Sequence, residues 1–361
     1  MDVPNIGLRI SGGQGRVALR PQEESYVLQL RRRLRHVVRV YRHDGAAALL
    51  WEFVYQGLKP FLRVYEKAIC RICSTLGHTS FSVLGSRITI LKGDRGLSRE
   101  LAAYRIHEPL ACQLLERTLG PGMTVVDIGS NIGYYALLEA RLVGADGKVI
   151  AIEPVPQNAA QLRKNVQANG GTNIEIHELA IGERNGSQVV YLSSKSNRHS
   201  LLPTPSAPTV MAMVSTLDYF VSSTHLRSVD LIRMDLEGYE TEILSGMQHT
   251  LARYGPRLLV ELHPHIVGKT VLLAYLAKLQ SLGYAPEWVF EQERDYPLRW
   301  KFIRPEHPTM AELMQDSRIQ CDMRAMTALF STNHRAVAKM KSPSAVHQTA
   351  GLETSVGACD R

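Results

Sequence analysis

The residues able to do chemistry stand at the ends of apolar runs. Asp127 closes the run 124–126 and opens a loop holding Gly129, Ser130, Asn131 and Gly133. Glu153 and Pro154 follow the run 148–152, Asp235 and Glu237 follow 229–234, and His263 ends the E-L-H that continues 257–260. A carboxylate in such a place can hold an amine or a hydroxyl, and an imidazole of ordinary pKa, about 6.5, can take a proton at neutral pH. Glu153, one strand on from the glycine loop, is positioned to accept hydrogen bonds from both hydroxyls of a ribose.

The elements that must hold these residues follow from pattern. T-V-V-D-I-G-S-N-I-G, residues 124–133, is a strand, a glycine turn and a helix start, where glycine lets the backbone approach a ligand and the helix offers unpaired N–H groups. A dinucleotide fold spaces its glycines G-x-G-x-x-G; here the spacing is D-x-G-x-x-x-G. The strand-end carboxylate would repel a pyrophosphate and suits an ammonium group instead. S-adenosylmethionine has an ammonium and no phosphate, so Asp127 is expected to face the cofactor's amino group, and a nicotinamide oxidoreductase is not expected.

Along the chain, residues 1–22 show no period and are expected to be loose, and 26–42 form a basic amphipathic helix with Val27, Leu30, Leu34, Val37, Val38 and Tyr41 on one face. That helix is either a solvated cover or a peripheral contact with a membrane surface or polyanion; little aromatic interleaving argues against nucleic acid. A second helical stretch, 46–73, is broken near Gly57 and Pro60; a strand at 82–91 and one helix over 97–118 follow. Helices are expected at 134–143, 156–169, 238–254 and 271–282, and strands at 174–177, 187–192, 288–290 and 298–303. The Ser- and Pro-rich window 193–208 is a long loop, a candidate lid, in which Asn197, Arg198, His199 and Ser200 are candidate substrate contacts.

Composition bounds the rest. A chain of 361 residues, 45% hydrophobic, can bury a large core. Residues 1–42 hold nine arginines against three acidic residues, a surplus of six out of the net +8, so the basic character is an N-terminal property. Five cysteines without framework spacing indicate reduced thiols and a cytoplasmic protein, and Cys70-Arg71-Ile72-Cys73 reads as plain helix. No apolar stretch is long enough for a membrane span, the start has no signal-peptide pattern, and Glu23 and Glu24 break a transit-peptide pattern.

The ordered fragments G-M-T-V-V-D-I-G-S-N-I-G-Y-Y, A-I-E-P, E-L-A-I-G, S-T-L-D-Y-F, M-D-L-E-G-Y-E-T-E-I-L-S-G and L-L-V-E-L-H make residues 83–304 resemble the FkbM family of S-adenosylmethionine-dependent methyltransferases. The chain departs from that pattern at Ser130, Leu236 and Tyr239. The resemblance implies an α/β fold of class I methyltransferase type, a seven-stranded, mostly parallel sheet with a reversed seventh strand and helices on both faces. Here it would be preceded by a basic helical extension, 1–82, and followed by a polar, flexible tail, 305–361. Asp127, Gly129, Ser130, Asn131, Gly133, Glu153, Pro154, Leu179, Ala180 and Asp235 would hold S-adenosyl-L-methionine. His263, Asp235 and Glu237 would be catalytic, with His263 the natural base for a hydroxyl on a small molecule or glycan; a structural histidine beside Pro264, or a helix cap at Asp235 and Glu237, are the plainer readings. Asp235, Glu261 and His263 or His265 offer oxygen and imidazole ligands for a divalent metal, but alternation along 260–263 argues against all of them facing one way, and no metal is expected. The competing functional reading is a non-catalytic cofactor-binding scaffold acting through its basic N-terminal helix.

Overall fold

The computed structural model describes residues 34, 36–42, 44–292, 300–322 and 324–332. The expected loose segment 1–22, the first part of the basic helix, Cys359 and residues 333–361 lie outside them. Residues 36–42 are helical, but the polarity of this piece is not the expected one. Arg39 turns inward and is bonded to Glu291, while Leu34, Val38 and Tyr41 are exposed. Next comes helix α1, Ala46–Thr75, which runs through Pro60 without a break. Leu50, Phe53, Phe61 and Val64 on its outer face are exposed. Among the described residues no helix is long and apolar enough to cross a membrane.

The single strand expected at 82–91 is a hairpin, β1 (Ser80–Val83) with β2 (Ser86–Thr89), because Leu84 and Gly85 both take left-handed backbone and turn the chain. The single helix expected over 97–118 is two, α2 (Leu97–Tyr104) and α3 (Pro109–Thr118). Arg105 at φ +62° ends the first, and Pro109 can only open the second.

The main sheet begins at β3 (Thr124–Ile128), continues through α4 (Tyr134–Val143) to β4 (Lys148–Ile152), then α5 (Pro156–Ala168) to β5 (Ile174–His177). A side sheet of β6 (Ala180–Ile181), β7 (Gly186–Tyr191) and β8 (Thr209–Ser215) follows. The chain then returns to the other side of β3 with β9 (Leu231–Met234), β10 (Arg257–Leu262), β11 (Tyr284–Glu291) and β12 (Met326–Thr332). The seven-stranded order is β11-β12-β10-β9-β3-β4-β5, parallel except for β12, which is antiparallel to both neighbours. This is the class I methyltransferase topology, with the strand order reversing between β3 and β9. Period-two alternation sorts the core onto two faces: Val126, Ile128, Ile150 and Ile232 on one, Val125, Val149, Leu231 and Leu259 on the other.

Two expectations fail at the C-terminal side. Residues 298–303 are not a strand: Trp300–Phe302 is a short 3-10 turn. The expected tail from 305 instead contributes a short helix, Met310–Met314, with a Thr309/Glu312 capping box, and the reversed strand β12. M-T-A-L-F-S-T is an apolar run of strand length, and its Ala328, Leu329 and Phe330 are buried. The helix expected at 238–254 is likewise divided, into Glu240–Ile243, a 3-10 turn and Gln248–Tyr254. Phe330→Ala should lower unfolding free energy by about 3–5 kcal/mol in chemical denaturation; an unchanged midpoint would mean that residues past 304 lie outside the core.

Candidate active site

The loops leaving β3, β4, β9 and β10 meet at the edge of the sheet where the strand order reverses, the place where open α/β sheets bind ligands. After β3, the Gly129 and Ser130 N–H groups both donate to the Ile152 carbonyl, at 2.9 and 3.0 Å. Gly129 has φ +88°, and a Cβ there would stand 2.6 Å from the Asp235 carbonyl oxygen, so only glycine fits. Asn131, also left-handed at φ +52°, donates its N–H to the Glu153 carboxylate at 2.8 Å. The other Glu153 oxygen accepts from Val155 N–H at 2.9 Å and from the Asn158 amide at 3.3 Å. A carboxylate offers about four acceptor positions, so Glu153, with three donors in place, has capacity for one ribose hydroxyl and not for both. Burial pushes its pKa up to about 7 against the three donors.

Two hollows open onto this loop. Gly129, Ser130, Asn131, Glu153, Pro154 and Asp235 line the polar one, with Ser196 and Asn197 as its outer wall. Ile152, Pro154, Leu179, Ala180, Leu201 and Tyr239 line the other, which is apolar. They share Gly129, Pro154, His199 and Leu236. An apolar slot beside a fixed carboxylate and a glycine cradle suits the adenosine part of S-adenosyl-L-methionine. The segment 193–208 is not a free lid: Asp94 accepts from Ser196 N–H at 2.7 Å and from its hydroxyl at 2.9 Å, pinning it to the start of α2.

Asp127 is not where the sequence put it. It is wholly buried, on the face of β3 that meets α4, and its carboxylate takes a hydrogen bond from Arg233 at 3.0 Å. The register explains the pair, because Asp127 stands opposite Arg233 in the β3–β9 ladder. The same guanidinium donates to Asp235 at 3.3 Å and lies 3.8 Å from the centre of the Tyr135 ring. Asp235 lines the polar hollow and Asp127 does not. Gly133 also stands back from the hollows: it opens α4 at φ +92° and makes room for Leu162.

Asp235 begins an acidic group. Its pKa is lowered: burial opposes ionisation, but Arg233 and neighbouring donors win. Burial and the Asp235 charge push the Glu261 pKa well above the usual carboxylate range. His263 is 3% exposed, with Glu240 at 3.4 Å, Glu261 at 3.6 Å and Glu237 at 3.9 Å. Burial resists its charge, but Glu240, Glu237 and Asp235 together raise its pKa to about 9. It is a cation at neutral pH and lines none of the hollows, which corrects its expected part as base. Residues 261 and 263 share a parity, which sets Glu261 and His263 on the same side. Asp235, Glu237 and His263 each bring one potential ligand atom within 4.8 Å of the others. The imidazolium and Arg233 balance the charge of this group, and no metal is assigned to it.

Glu237 differs from its neighbours. It holds left-handed backbone at φ +50°, followed by Gly238 at φ +98°, a conformation uncommon outside glycine and typical of functional turns. The turn is fixed by Leu236 N–H donating to Glu240 at 2.7 Å. Glu237 faces a broad cleft that also borders Asp235, with Arg198 3.7 Å away. Burial and Asp235 push its pKa up to about 7.

Residues 127–286 match the family model described as the Methyltransferase FkbM domain. The chain carries an FkbM methyltransferase domain. Its cofactor is S-adenosyl-L-methionine. Among curated relatives, "Hexuronic acid methyltransferase AglP" of Haloferax volcanii is 30% identical over 155 residues, covering 40% of this chain and 58% of the relative. "Protein-L-isoaspartate O-methyltransferase 1" of Arabidopsis thaliana is 36% identical over 77 residues, 21% of this chain and 33% of that protein. The chain thus spans less than two thirds of either. A solved FkbM methyltransferase structure from Methylobacillus flagellatus aligns at 14% identity and TM-score 0.35, over 64% of this chain and 53% of that one. The FkbM match begins at Asp127, so α1, the β1–β2 hairpin, α2 and α3 lie outside it.

Sequence reasoning missed Arg233 and His107. Arg233 could have been found: an arginine in the middle of V-D-L-I-R-M-D, two residues before Asp235, must share a sheet face with it. His107, raised to about 9 because Glu108 and Glu100 outweigh its burial, has no sequence signal; it is set between those carboxylates by the α2–α3 break. Asp127→Ala leaves the Arg233 charge without its buried partner and should destabilise the fold by about 3–5 kcal/mol, measured by denaturant unfolding. For Glu153 the folded pKa is raised from 4.5 to about 7, so its favourable contribution is full at acid pH and is lost as pH rises through about 7. Melting temperature should therefore fall between about pH 5 and pH 8, and Glu153→Gln should flatten part of that fall.

Proposed function

We propose that this protein transfers a methyl group from S-adenosyl-L-methionine to a hydroxyl oxygen of a small molecule or glycan, in the reducing cytoplasm. The observation that carries the reading is the meeting of the cofactor hollows with the Asp235–Glu237 turn at one sheet edge. The relative named as a hexuronic acid methyltransferase supports a sugar acceptor, and the described cysteines, Cys70, Cys73, Cys112 and Cys321, are all free thiols, in keeping with a reducing compartment. When bound, the cofactor supplies a methyl carbon already activated by a positive sulfur.

The remaining tasks fall to the chain. Glu153 and the Gly129–Asn131 backbone orient the nucleoside, Leu179 and Ala180 shield its base from water, and Asp235 receives the ammonium. Glu237 is the group we assign as general base, since a carboxylate near neutrality can both hold a hydroxyl and take its proton. His263 is a positioning residue: its positive charge keeps Glu237 from rising further and holds the carboxylate toward the cleft.

Calorimetric titration of S-adenosyl-L-methionine, followed by labelled-methyl transfer into cell extract with identification of the product, tests the reading. No binding by the wild-type protein would sink it. Turnover should rise with pH through about 7, because the base works deprotonated. Glu237→Gln should reduce kcat by about 10²–10⁴ while leaving cofactor affinity within a few-fold; equal turnover would remove Glu237 as base.

A further inference from the structure

The cleft bordering Asp235 and Glu237 runs between α1, the start of α2 and residues 195–198, and its charges are unequally partnered. Four of the carboxylates in its walls are paired within the chain, while Asp235 and Glu261 each keep a buried oxygen without a hydrogen-bond partner. Glu66 accepts from the Tyr104 hydroxyl at 2.9 Å, Glu100 pairs with His107 at 2.6 Å, Glu108 accepts from Tyr135 at 2.5 Å, and Glu291 from Arg324 at 2.9 Å. Arg95, Arg99 and Lys195 line the same cleft and make no ion pair among the described residues. On the facing wall Arg63 and Lys67 of α1 are in the same condition.

The three cations are held together by a rigid clamp. One Asp94 oxygen accepts from Gly96 N–H at 2.9 Å and Ser196 N–H at 2.7 Å; the other accepts from Ser98 N–H at 2.8 Å and the Ser196 hydroxyl at 2.9 Å. Arg95 N–H adds a bond to the Ser194 carbonyl at 3.0 Å. The fit is close, since a Cβ on Gly96 would stand 2.9 Å from the Lys195 Cβ. Arg95 and Arg99 on one side and Lys195 on the other are thus brought side by side by backbone bonds, not by attraction among themselves. The Lys195 pKa is lowered, first by burial and then by Arg198 and Arg99, with Glu100 and Glu237 opposing them. Cations gathered without a direct ion pair keep donors free for a ligand, and an anion set between them relieves their mutual repulsion.

We propose that Arg95, Arg99 and Lys195 form an anion subsite for the methyl acceptor, so that the acceptor is an acidic molecule with a carboxylate or phosphate beside the hydroxyl that is methylated. This rests on the reading of the site as a hydroxyl methyltransferase. The subsite is continuous with the catalytic turn: Arg198, next but two to Lys195, contacts Glu237, and Asn197 lines both the cofactor hollow and the cleft. An acceptor anchored there by its anion would present neighbouring atoms to Glu237.

The test uses the full chain with labelled cofactor and three probes: 4-nitrophenyl β-D-glucuronide, glucose 6-phosphate and the neutral 4-nitrophenyl β-D-glucoside. KM for at least one acidic probe should be at least tenfold below that for the glucoside, and which acid is preferred separates carboxylate from phosphate. The double variant Arg99→Gln/Lys195→Gln should raise that KM at least tenfold with cofactor Kd unchanged, which also shows that it is folded. Equal KM values for acidic and neutral probes, or a KM that the variant does not move, would overturn the proposal. If no probe is methylated, calorimetric titration of the two acids into protein loaded with S-adenosylhomocysteine decides it: no binding, or binding indifferent to the double variant, overturns it. Failure of the wild-type protein to bind the cofactor would instead count against the methyltransferase reading itself.

Discussion

A guanidinium buried in the middle of a parallel sheet is the constraint on which this site depends. Arg233 cannot be left without partners in that place, because stripping water from a charge costs several kcal/mol. It is matched by Asp127 across the ladder, by Asp235 along its own strand and by the Tyr135 ring, a contact of about 2 kcal/mol when desolvated. Together they tie β3, β9 and α4 at the point where the strand order reverses. The glycine turn after β3 and the acidic turn after β9 are therefore fixed relative to one another from beneath, and the ligand-facing loops need supply no rigidity of their own.

The electrostatics above that pair follow from it. With Asp235 held ionised by Arg233, each further carboxylate in the group feels a fixed negative neighbour, and burial adds to the effect. Glu261, buried, is pushed well above the carboxylate range; Glu237, at the lip of the cleft, titrates near neutrality; His263, surrounded by all of them, is held positive. Four groups of similar kind acquire different states from their depth and order alone, which is how one short stretch of strand ends can both hold a charge and move a proton.

What the sequence made legible was local. Gly129, Asn131, Glu153, Pro154, Leu179 and Ala180 line the hollows because each follows a strand whose apolar run is plain to see, and a strand end is where open sheets bind. The sheet and its reversed strand were implied by family resemblance, and the structure bears them out. Features that depend on what lies across a ladder or a loop were not legible. Asp127 and Asp235 have the same sequence context, a carboxylate after an apolar run, and both bond to Arg233; only the structure shows that Asp127 is enclosed while Asp235 also lines the cleft. The Asp94–Ser196 clamp joins residues 102 apart, and no period connects them. The strand β12 was missed because a polar stretch separates it from the domain, although its own apolar run was there to be seen.

That strand sets an order of events. β12 is hydrogen-bonded between β10 and β11, yet it is the last of the seven to be made. As the chain leaves the ribosome, β10 and β11 have no partner on their facing edges until residue 332 has emerged, so the sheet cannot close in the order in which it is synthesised. Open edges of this kind are templates for pairing with other chains. The half built on β3, β4 and β5, which carries the glycine loop and Glu153, can assemble early; the half that carries the Glu261–His263 strand waits for β12.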